Sequence, residues 1–116
     1  TRSGASAVTV WALLKHLGRT GYETIVRHCM KLTLKLAEGA QRINGVNLVT
    51  QPTINIVGIK SDRVEIQLIA QELRNKGWAI SLFPNHIRIV VMPHVKPLHV
   101  KNFLNDLEIV MEKLSG

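Results

Sequence analysis

An arginine sits inside an otherwise apolar stretch, Ile87-Arg88-Ile89-Val90-Val91-Met92. Read as a strand, this run alternates sides, so Arg88 shares one face with Val90 and Met92 while Ile87, Ile89 and Val91 take the other. Both faces are then apolar apart from one guanidinium. Burying an unpaired charge is costly, so Arg88 calls for an anion, a glutamate partner from the helix predicted over residues 62–76, or an opening to water. A guanidinium is a planar fork that receives a carboxylate through two parallel hydrogen bonds, and carboxylate binding is the chemistry this position can do. A second candidate is Thr1-Arg2-Ser3-Gly4, directly ahead of a helical pattern. Hydroxyls and open N–H groups at a helix start suit a phosphate, although a serine or threonine there serves equally as an ordinary N-cap.

Nothing else assembles into a catalytic set. The five histidines, His16, His28, His86, His94 and His99, show no metal-ligand spacing with carboxylates or with the single cysteine. Solvated or partly buried histidines are the expectation, and no metal is expected. Cys29 falls on the apolar stripe of a helix, where a cysteine behaves as a small core residue. No glycine-rich phosphate loop and no nucleophile-elbow serine occur. The net charge of +7 raises nucleic-acid binding as a possibility, and Arg27, Lys31 and Lys35 line up at helical spacing. The stripe has no interleaved aromatics and no adjacent basic run, so no nucleic-acid partner is expected.

The elements that must carry these residues can be read from periodicity. A first helix over residues 5–17 is apolar almost all round, which predicts burial against something outside the chain and, without it, self-association. Gly18 is a natural stop. A second helix over residues 22–43 places Ile25, Cys29, Leu32, Leu36, Ala40 and Ile43 on one side. Asn44-Gly45 ends it, and a short extended piece follows at residues 46–49. A strand is predicted over 53–59, then a helix opened by a capping-box-like Ser61-Asp62 with Glu65 and buried through Ile66, Ile69, Ala70 and Leu73. Strands over 78–83 and 87–92 flank Pro84-Asn85 as a hairpin. Pro97 suits the first turn of a last helix whose apolar face holds Val100, Phe103, Leu104, Leu107, Val110, Met111 and Leu114. The expected fold class is α/β of the α+β kind: long N-terminal helices, then a small, mainly antiparallel sheet covered by helices on one face.

A chain of 116 residues is expected to be one domain, 1–116, with a helical entry segment at 1–44 and a sheet-plus-helices core at 45–116. No apolar run approaches the roughly 18–20 residues of a membrane span, so no membrane partner is expected. One cysteine fits a reducing, cytoplasmic setting. The opening at Thr1, without a methionine and already helical in pattern, reads as a piece of a longer protein.

Taken together, Thr1-Arg2-Ser3-Gly4-Ala5-Ser6, the following Trp11-Ala12-Leu13-Leu14-Lys15-His16-Leu17-Gly18, and Ile87-Arg88-Ile89-Val90-Val91-Met92-Pro93 resemble the C-terminal domain of group II pyridoxal-phosphate-dependent amino-acid decarboxylases. The archaeal tyrosine/aspartate decarboxylases are the nearest in kind, and the resemblance covers essentially the whole chain. It implies the C-terminal domain of the fold-type-I enzymes. It also implies that Arg88 holds the substrate's α-carboxylate, and that Thr1, Arg2 and Ser3 approach the phosphate of pyridoxal 5′-phosphate. The implied partners are a missing cofactor-binding large domain and a second copy in a homodimer or higher oligomer. The chain departs from the family where it matters for catalysis. The cofactor's Schiff-base lysine follows a histidine in the large domain, whereas here Lys15-His16 is reversed and no His-Lys pair occurs. The chain alone is therefore expected to be inactive. The alternatives are a stand-alone ferredoxin-like regulatory or interaction domain and a basic nucleic-acid-binding module.

Overall fold

The computed structural model describes the backbone of residues 2–115 and the side chains of residues 18–115. One helical run, α1 (Arg2–Arg42), contains a break at Gly18, whose φ of 72° and ψ of −170° lie outside the helical region. Glycine has no Cβ to oppose a positive φ, so the run divides where the sequence predicts a stop. The side chains of the apolar first segment, and with them the expected exposed patch and self-association, lie outside the described residues. Beyond the break, Cys29, Leu32, Leu36, Ala37 and Ala40 turn inward. Thr33 is buried beside them and satisfied, its hydroxyl donating to the Cys29 carbonyl at 2.6 Å.

The remaining elements are β1 (Asn47–Leu48), β2 (Ile56–Lys60), α2 (Ile66–Asn75), β3 (Ser81–Leu82), β4 (Ile87–Val90) and α3 (Pro97–Ser115). The strands form one sheet in the order β1-β2-β4-β3, with every neighbouring pair antiparallel. The sheet is thus crossed from β2 through α2 to the far edge at β3, and β4 returns between them. A single core joins the second half of α1, α2 and α3 to one side of the sheet through Val57, Ile59, Ile87 and Val91. The buried stripe predicted for α2 is the one observed. The α3 stripe is also as read, with Leu104 and Leu114 only half-buried. Among the described residues no helix is long and apolar enough to cross a membrane.

Several boundaries differ from the sequence reading, among them the end of β4, which stops at Val90 rather than residue 92. Ser61 does not cap α2: its hydroxyl accepts the N–H groups of Arg63 and Val64, both at 3.2 Å. That turn drops Val64 into the core, and the helix starts at Ile66 with Glu65 at its N-cap. The strand β2 begins at Ile56 rather than residue 53, and Asn55 just before it bonds twice to Val91, its carbonyl accepting the Val91 N–H at 2.8 Å and its side chain donating to the Val91 carbonyl at 2.9 Å. Residues 78–80 leave the sheet because Trp78 turns toward α3. Its indole N–H donates to Asp106 at 2.8 Å and its ring meets Phe103 edge-on, centroids 5.1 Å apart.

Leu73 is wholly buried and Leu68, on the same helix, is 44% exposed. Leu73→Ala should therefore destabilise the fold by about 2–5 kcal/mol and Leu68→Ala by less than about 1 kcal/mol. Urea midpoints of the two variants check this, and equal losses would contradict the packing described.

Candidate functional site

The β3–β4 hairpin builds the site. Phe83 donates its N–H to the His86 carbonyl at 2.9 Å, closing a four-residue turn over Pro84-Asn85. On the strands behind it Ser81 pairs with Arg88 and Leu82 with Ile87. Alternation then puts Phe83, Ser81, His86 and Arg88 on the sheet face opposite the core. The Arg88 Cζ lies 4.3 Å from the centre of the Phe83 ring. Phe83 in turn stacks on His86, with centroids 4.9 Å apart and planes 4° from parallel. His86 Nδ1–H donates to the Asn85 side-chain oxygen at 2.8 Å. On β4's other flank the residue opposite Arg88 is Gly58. A Cβ there would stand 3.0 Å from Val49 and 3.7 Å from His86, so glycine makes room for the close approach of the Val49 side chain.

This arrangement corrects one premise of the sequence reading. Arg88 is not enclosed between two apolar faces. It is exposed, and Val90 beside it is 44% exposed, because no described helix covers this side of the sheet. The apolar character of Val90 and Met92 does not by itself mean burial within this chain. Neither is Arg88 an edge-strand residue, since β4 lies between β2 and β3. The glutamate partner is also absent among the described ion pairs, which join Arg19 to Glu23, Arg42 to Glu38 and Lys113 to Glu72. An exposed guanidinium backed by an aromatic ring can receive an anion from solvent or from a docked surface.

Other residues singled out in the sequence are placed as follows. Arg2 and Ser3 fall in the first turn of α1, while Thr1 and the side chains of all three lie outside the described residues. His28 Nε2–H donates to the Val95 carbonyl at 3.0 Å, tying α1 to the loop before α3. His99 Nδ1 accepts the Lys96 N–H at 3.0 Å and so caps α3. Both are structural roles. Among the described residues no three His, Cys, Asp or Glu side chains gather as metal ligands. Arg27, Lys31 and Lys35 are exposed on α1. Every lysine among the described side chains is exposed.

Two features were not singled out in the sequence. The Phe83–His86 stack has a weak signature, two aromatic rings bracketing Pro-Asn with an arginine two positions on. The other is an apolar cavity of about 560 Å³ where Trp78–Ile80 splays away from Ile89–Met92, walled on the far side by Phe103. No spacing rule in the sequence reports it.

Cys29 is 6% exposed and burial pushes its thiol pKa up. The thiolate is the reactive form, so raising the pKa lowers its population at neutral pH. Alkylation by iodoacetamide should be much slower than for the unfolded chain at pH 8, and its rate should rise only at higher pH. A folded-state rate equal to that of the denatured chain would contradict the burial.

With the geometry in place, comparison with known proteins becomes informative. No family model matches the chain. A probable L-aspartate decarboxylase of Thermococcus gammatolerans is 45% identical over 108 residues, which is 93% of this chain and 28% of that protein. A probable L-tyrosine/L-aspartate decarboxylase of Methanosphaera stadtmanae is 36% identical over 115 residues, 97% of this chain and 30% of that protein. The chain is homologous to one part of these decarboxylases. It spans a little under a third of the length of the curated relatives it matches. Among solved structures, the sphingosine-1-phosphate lyase of Burkholderia pseudomallei superposes with a TM-score of 0.81 at 21% identity, over 90% of this chain and 24% of that one. The glutamate decarboxylase of Lactobacillus brevis gives 0.77 at 20%, over 88% and 26%. At these identities the likeness is one of fold, that of a domain found in the fold-type-I pyridoxal-phosphate decarboxylases and lyases. The chain thus has the fold class read from its sequence.

Proposed function

We propose that this segment is the C-terminal domain of an L-amino-acid decarboxylase dependent on pyridoxal 5′-phosphate, and that Arg88 holds the substrate's α-carboxylate. The observation that carries the reading is similarity to archaeal decarboxylases along nearly the whole chain, at up to 45% identity. Arg88 adds an independent support: its guanidinium stands on the uncovered sheet face with no ion-pair partner among the described residues. L-aspartate is the proposed substrate, because it appears in both relatives' names. L-tyrosine is the second candidate.

The chemistry divides between this domain and the rest of the parent. A bidentate guanidinium–carboxylate contact orients the bond to be broken and contributes through positioning, without moving a proton. The cofactor and its covalent lysine are assigned to the remainder of the parent protein. Thr1, Arg2 and Ser3 are proposed to approach the cofactor phosphate there, within a homodimer. A cytoplasmic setting fits the lone buried thiol.

Arg88→Ala in the full-length parent should lower kcat/KM for L-aspartate by about 100-fold, the scale expected when a charge-assisted contact is lost. The segment alone, given pyridoxal 5′-phosphate, should release no CO₂ from L-aspartate or L-tyrosine. Normal turnover by the Arg88→Ala parent would remove the carboxylate role, and turnover by the isolated segment would remove the division of labour.

A further inference from the structure

We propose that Phe83 and His86 are positioning residues for Arg88, holding its guanidinium from behind while leaving its N–H donors open to a carboxylate. The proposal rests on the carboxylate-binding reading of Arg88 and goes beyond it by naming what sets the arginine's position. A long side chain on a bare sheet face samples many rotamers, and ordering it only when substrate arrives weakens binding. A neighbouring aspartate or glutamate would order it too, but would occupy the N–H fork and compete with the substrate.

The structure uses an aromatic face instead. The Arg88 Cζ lies 4.3 Å from the Phe83 ring centre, and such a contact attracts the cation through the ring's quadrupole without consuming a donor. Phe83 is itself fixed. It lies diagonally across the hairpin from Arg88, is backed by the nearly parallel His86 ring, and shares the turn-closing hydrogen bond with His86. His86 is anchored through Nδ1–H to Asn85 at 2.8 Å. Its strand neighbours are Gly58 on β2 and Ser81 on β3, the guanidinium is exposed, and neither neighbour carries a charge that would occupy its N–H groups. The carboxylate is therefore assigned to the face of the guanidinium turned away from the Phe83 ring.

The test uses the full-length parent. Phe83→Leu should raise KM for the amino acid about 3- to 10-fold, the worth of one cation–π contact, with a smaller change in kcat. Phe83→Tyr should restore KM to near the parental value. Inhibition by the decarboxylated amine product, which lacks the α-carboxylate, should be unchanged in both. In an Arg88→Ala background Phe83→Leu should add nothing. Should Phe83→Leu melt below the assay temperature, His86→Leu carries the same test, with a smaller KM rise and unchanged inhibition by the amine. Normal kinetics for Arg88→Ala would overturn the carboxylate reading itself. An impaired Arg88→Ala with an unmoved KM in both Phe83→Leu and His86→Leu would overturn the positioning role alone. So would equal weakening of amino acid and amine.

Discussion

All three helices press on the same face of the β1-β2-β4-β3 sheet, and the two-residue alternation of β2 and β4 turns that into a sorting rule. Val57, Ile59, Ile87 and Val91 enter the core, while Gly58, Arg88 and Val90 stand on the far side. A slip of one residue in β4 would exchange these sets, removing Ile87 from a site where it is wholly buried and driving Arg88 into the apolar core. A lone guanidinium in that core would be strongly unfavourable. The charge that defines the candidate site therefore also helps to fix the register that builds it.

The elements with strong periodicity were legible. Leu32, Leu36 and Ala40 on α1, and Ile69, Ala70 and Leu73 on α2, lie buried where their spacing put them. Gly18 breaks the long helix where a stop was read. The illegible parts depend on which partner a residue chooses. Trp78 leaves the strand pattern because Asp106, 28 residues on, offers its indole an acceptor. Ser61 spends its hydroxyl on a turn, since Val64 must reach the core before the helix can begin. Strand alternation correctly assigned Arg88 and Val90 to one face. It could not tell that this face is uncovered within the chain, because an apolar residue looks the same whether its cover is its own helix or another domain.

The candidate site shows the same division. Arg88 could be found as a charge among aliphatic residues, whereas its support by Phe83 and His86 could not, because the diagonal contact exists only once the turn over Pro84-Asn85 has set the hairpin. Thr1, Arg2 and Ser3 remain a reading from resemblance.

The outer strands bear on how this unit meets other protein. β1 and β3 each contribute two residues to the sheet. Edges so short present little unsatisfied backbone for another chain to extend, which is one way natural sheets avoid sticking edge to edge. Contact with a neighbour is then left to side-chain surfaces rather than to a growing ladder of main-chain hydrogen bonds. Selectivity for that neighbour accordingly resides in side-chain identity, where single substitutions can tune it.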